Sequence, residues 1–137
     1  MLGRALSCAA DVHLRVGQYG AAKSRLRQTV DPAQQVGDIF FCARSLTRLG
    51  TAEQGEGDPR AAIALHHQAL LQHRLLSPLT EPSYDWLEMD IHSRLGSAYV
   101  ATGRIPEARR HFRAVLDVQG AHAHRADRAL GDWGLHP

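Results

Sequence analysis

IHSRLGSAYVATGRIPEARRHFRAVLDVQ, residues 91–119, reads as two helices joined by a turn. Ile91, Leu95, Ala98 and Tyr99 recur at helical spacing and make one apolar stripe. Gly103 stands where a helix stops, and Pro106 where the next one starts. Ala108, Phe112, Val115 and Leu116 repeat the stripe in the second segment. Gly96 and Ala98 are small enough to let a second helix approach, and Ala108 is small on the other side. Tyr99 and Phe112 fill the space beyond with ring area. On this reading Phe112 is buried, and truncating it to Ala costs about 3–5 kcal/mol.

Working outward, two weaker copies precede this hairpin. Residues 3–36 carry Leu6, Ala9, Ala10 and His13, a turn at Gly17, then Tyr19, Ala22 and Leu26. Asp31-Pro32 falls late in that second helix, where proline removes a backbone bond and crowds a carbonyl. The expectation is a kink or break at 30–32, or a new helix capped by Asp31. Gly37-Asp38 makes the next boundary. Residues 38–76 carry Phe41, Leu46, Leu49-Gly50 and Ala52, a turn over 55–59, then Ala62, Ile63, His66, Ala69 and Leu70. Asp58 is placed to cap the helix that Pro59 opens. A linker with Pro78 and Pro82 leads to the third hairpin, 84–120. Asp85 and Glu88 are spaced there as a capping box, and Trp86 and Met89 are expected to pack across the linker. Residues 121–133, with Leu130-Gly131, read as one more first helix without a partner, a terminal cap.

Leu95-Gly96, Tyr99, Ala108 and Phe112 stand in the order L-G-x2-Y…A-x3-F, so the chain resembles the tetratricopeptide repeat family. Leu49-Gly50 and Ala62 repeat part of the pattern, with Glu53 in place of the tyrosine and His66 in place of the phenylalanine. Leu-Gly pairs begin at Leu49, Leu95 and Leu130, in steps of 46 and 35 residues, against a family unit of about 34. The resemblance implies one all-α domain over residues 1–137. Its fold would be a right-handed stack of three helical hairpins plus a C-terminal cap helix. It further implies a non-catalytic scaffold that binds protein or peptide. The long steps resemble repeat regions of bacterial signalling and transcriptional regulators.

Composition agrees with that class. The chain has 137 residues, enough to bury a core without disulfide or metal staples. Aromatics are only 6%, which favours helices packed closely over Ala and Leu. No apolar run approaches the roughly 18 residues of a membrane span, and the N-terminus meets Asp11 and His13 too early for a secretory signal. A cytoplasmic protein is expected, with Cys8 and Cys42 as buried thiols. A formal charge of +2 is too mild to imply nucleic acid. Lys23 is the sole lysine; such Arg-for-Lys usage fits a GC-rich bacterial genome.

No catalytic constellation stands out. Gly50–Gly57 has the two glycines of a phosphate loop, Gly50 and Gly55, but lacks its lysine. His66 with His73, and His122 with His124, lack further ligands at known spacing, so neither a metal nor a cofactor is expected. Arg109, Arg110 and Arg113 cluster on the expected outer face. The resemblance places the partner-binding groove on first helices, which line the concave side of such stacks. Its positions here are Arg4, Ser7, Asp11 and Arg15, then Arg44, Thr47, Arg48 and Thr51, then Asp90, Ser93, Arg94 and Ser97. Arginine from each repeat suits an acidic terminus or an extended peptide. Self-association as a homodimer is the alternative, and nucleic-acid binding through the outer arginines a weaker one.

Overall fold

The structure, a computed structural model, describes residues 2–35, 37–76 and 84–132. Six helices follow one another: α1 (Leu2–Arg15), α2 (Tyr19–Gln35), α3 (Ile39–Gly55), α4 (Pro59–Arg74), α5 (Asp85–Ala101) and α6 (Ile105–Asp132). There is no strand among the described residues. Each helix packs on its chain neighbours, and α3 also meets α5. Three hairpins are thereby stacked, with α1, α3 and α5 as first helices.

The joints are those the sequence marks. Gly17, Gly57 and Gly103 turn the three hairpins with φ of 76°, 90° and 77°, a backbone that side chains rarely adopt. Asp38 and Asp58 cap α3 and α4, accepting from the amides of Phe41 and Ala61 at 3.1 Å each.

Close packing rests on glycine under a ring. A Cβ on Gly50 would lie 2.5 Å from the His66 ring, and one on Gly96 would lie 2.5 Å from the Phe112 ring. Ala10 and Leu26, both fully buried, hold the corresponding places in the first hairpin. Between hairpins the ring of Tyr19 covers Gly55 just as closely. The core of Leu26, Leu46, Leu49, Leu87, Ile91, Leu95 and Tyr99 runs through all three units. Cys42 lies within it as a free, buried thiol; the side chain of Cys8 lies outside the described residues.

Four expectations need correction. Pro32 does not break α2, which runs on to Gln35 with Ala33 buried. Packing on α3 offsets one lost bond near a helix end. The cap helix is not separate: α6 continues through Gly120 to Asp132. Nothing between 117 and 123 stops it, for no proline or positive-φ glycine stands there. Asp85 is the first residue of α5 rather than its cap, and Tyr84 precedes the helix without a side-chain capping bond. Phe112 is 42% exposed, because among the described residues no helix packs on α6 from the side away from α5. The linker, 77–83, lies outside the described residues. Trp86 stacks edge-on against Phe40 of α3, centroids 5.8 Å apart.

Candidate functional site: a cleft between the first helices

Thr51, Asp90, Ser93, Arg94 and Ser97, all expected in the groove, line one cleft of about 500 Å³. Helical spacing explains the α5 set, since positions 90, 93, 94 and 97 share a face. Gly55 lies under the Tyr19 ring, and the other side chains of the lining are Leu14, Tyr19 and Gln54. These three were missed. Leu14 and Gln54 were legible as the next turn after Asp11 and Thr51 on the same faces. Tyr19 opens α2, so a search confined to first helices passes over it. Gln54 Nε2 donates to Ser97 Oγ at 3.3 Å and ties α3 to α5 at the cleft.

The charges next to the cleft are already paired. Arg48 Nε lies 2.6 Å from Asp11 Oδ1, and Arg44 reaches the same carboxylate at 4.0 Å. Burial pulls the Arg48 guanidinium below its ordinary range, as does Arg44 beside it, while Asp11 pulls the other way. Its Nη1 is buried without a hydrogen-bond partner. Arg94 Nε donates to Asp90 Oδ1 at 3.0 Å one turn away. Arg48 and Arg94 thus each hold an aspartate. Thr47 is buried and donates to the Ala43 carbonyl at 2.8 Å, so it does not face the groove. Arg15 is exposed but outside the cleft lining, and the side chains of Arg4 and Ser7 lie outside the described residues.

Lys23 locks the second and third helices together. Its Nζ lies 3.1 Å from Glu53 and 2.6 Å from Glu56. That explains Glu53 at a position where the family pattern has tyrosine.

The histidines sort differently from their spacing. His66 is fully buried, with neither ring nitrogen hydrogen-bonded, and burial lowers its pKa to about 4. His73 donates from Nε2 to the Tyr84 carbonyl at 3.2 Å, and His122 meets Asp85 at 3.2 Å. Three others gather where α4, α5 and α6 meet. His92 Nδ1 and His111 Nδ1 are 3.0 Å apart, His67 Nε2 is 2.8 Å from the Tyr99 hydroxyl, and His111 stacks on Tyr99. Long sequence separation hid this cluster. Among the described residues no group of three or more His, Cys, Asp or Glu is arranged to hold a metal ion. Nor is any described helix long and apolar enough to cross a membrane. Arg109 and Arg113 are exposed, while Arg110 lines the cavity beside His111.

Residues 93–122 match a family model described as tetratricopeptide repeat. Among solved structures, the TPR domain of Arabidopsis FLU is similar, with a TM-score of 0.76 at 16% identity over 88% of this chain and 96% of that one. No curated protein matches the chain. The hairpin stack, the glycine-under-ring packing and the matched residues 93–122 agree: this is an all-α protein of tetratricopeptide-repeat fold, with the match to the family model lying in its third hairpin.

Proposed function

We propose that the chain is a non-catalytic scaffold that binds an extended peptide or a protein segment in the cleft between its first helices. The observation that carries this is the cleft itself. Hydroxyl and amide groups of Thr51, Gln54, Ser93 and Ser97 stand beside the apolar Leu14 and the ring of Tyr19. Such a lining supplies hydrogen bonds for a backbone and one apolar seat for a side chain. Around it, Arg44, Arg48 and Arg94 face Asp11 and Asp90, leaving one net positive charge. A mildly acidic segment fits that balance better than a strongly acidic one. The arginine-rich composition and long repeat steps support a setting in the interaction region of a cytoplasmic bacterial regulator, including transcriptional ones.

Self-association is a second reading, favoured by Ile105, Phe112 and Leu116. All three are exposed along α6, the last described helix. Solution molar mass checks it: a dimer supports this reading and a monomer removes it.

The test of the cleft uses a peptide selected from a displayed random library against the intact chain. Arg94→Ala with Ser97→Ala removes one charged and one neutral contact, so affinity falls roughly tenfold to a hundredfold. Arg109→Ala with Arg113→Ala changes it little. Equal losses from both pairs contradict the cleft as the site.

A further inference from the structure

A second cavity, of about 490 Å³, opens where α4, α5 and α6 meet. It shares no lining residue with the cleft between the first helices. Leu70 lies buried at its floor, and Leu71 is 59% exposed beside it. His67, His92 and His111 surround it, with Arg74 from α4 and Arg110 from α6. Neither arginine forms an ion pair among the described residues. Two guanidiniums without a direct ion pair, opposed only at longer range by Glu88 and Glu107, stand beside an apolar floor and favour an anion over a cation. The volume lies within the range of small-molecule sites.

We propose that this cavity binds a small amphipathic carboxylate, its anionic group held by Arg74 and Arg110 and its apolar body laid on Leu70 and Leu71. Guanidinium and carboxylate match in shape as well as charge. The imidazoles make binding depend on pH. His92 and His111 face each other through Nδ1 at 3.0 Å, which requires a proton on one nitrogen and a lone pair on the other. Burial holds the His111 pKa down to about 4, helped by His92, His67 and Arg110. Burial likewise lowers His67, with Arg74, His92 and Arg104 adding to it. Glu88 of α5, 3.8 Å from His92 Nε2, is the opposing charge. A carboxylate in the cavity favours the imidazolium forms, so binding takes up protons. Affinity therefore rises as pH falls from neutral toward about 4, where His111 begins to be charged in the free protein as well.

Calorimetric titration of the intact chain with phenylacetate, at pH 7.5 and pH 5.5, tests this. The expected result is saturable binding, several-fold tighter at the lower pH, with proton uptake seen as a dependence of the heat on buffer. Arg74→Ala and Arg110→Ala, both at exposed positions, should each weaken it about tenfold while circular dichroism stays unchanged. Phenylacetamide, uncharged and of the same shape, should bind at least tenfold more weakly. A dipeptide ending in a free Phe carboxylate that binds tighter than phenylacetate identifies a chain terminus as the source of the same group. No saturable binding at millimolar phenylacetate overturns the proposal. So does binding that ignores both arginines or accepts the amide equally.

Discussion

His66 fits its place less well than any other core residue. It sits against Gly50 where the third hairpin has Phe112, fully buried with both ring nitrogens unpartnered. Two unpaired polar atoms in a dry core cost more than a ring of similar size without them. His66→Phe should therefore stabilise the fold by about 1–3 kcal/mol, read as a higher melting temperature. The same residue sets a pH dependence. Its folded pKa of about 4 lies below the ordinary value of 6.5, so protons favour the unfolded chain. Its neutral form is undisturbed above pH 6.5, and stability falls as pH drops toward 4, by at most about 1.4 kcal/mol per unit. Melting curves between pH 7 and 4 should show this slope, and it should become shallower in His66→Phe, with the remainder coming from His67 and His111. Gly50 and Gly96 make a paired test. His66 has no room to move aside, whereas the half-exposed Phe112 can swing outward. Gly50→Ala should cost about 1–3 kcal/mol by overpacking, and Gly96→Ala distinctly less.

At the scale of elements, what the sequence made legible was whatever rests on local chemistry. Asp38 and Asp58 as caps, Gly17, Gly57 and Gly103 as turns, and the apolar stripe of α5 were all readable from neighbours in the chain. The misreadings came where tertiary context overrode a local rule. Pro32 sits inside α2 because the helix is held by its packing. The stretch after Gly120 carries a first-helix signature but continues α6, and His122 meets Asp85 at the start of α5. The last ten residues of α6 therefore run past the end of its partner. Gly120 gives a direct check: a Cβ there would meet nothing within 4 Å, and its φ is not positive. Gly120→Ala should stabilise a continuous helix by about 0.5–1 kcal/mol, measured by thermal unfolding. A loss of stability would restore the boundary at 120.

For the whole molecule, stacking made the cleft but also consumed its charges. Repeat arithmetic placed Arg48 and Arg94 at equivalent positions, and both are indeed on neighbouring first helices. It gave no view of Asp11 reaching Arg48, since an ion pair across 37 residues leaves no trace in spacing, whereas Asp90 and Arg94, one turn apart on α5, were legible as a pair. Arg48 consequently has a structural share. Removing it strands Asp11 and unsettles the contact of α1 with α3, so Arg48→Ala should lower the melting temperature more than Arg94→Ala, whose pair is half exposed. The histidine cavity was invisible for the same reason, being assembled from three helices. The central claim is that the first helices, together with Tyr19, form the binding surface. Amide chemical-shift mapping with the selected peptide tests it most directly. The account predicts shifts concentrated at Tyr19, Thr51, Gln54, Ser93 and Ser97, with Arg109 and Arg113 unmoved. Shifts concentrated on the exposed face of α6 would contradict it.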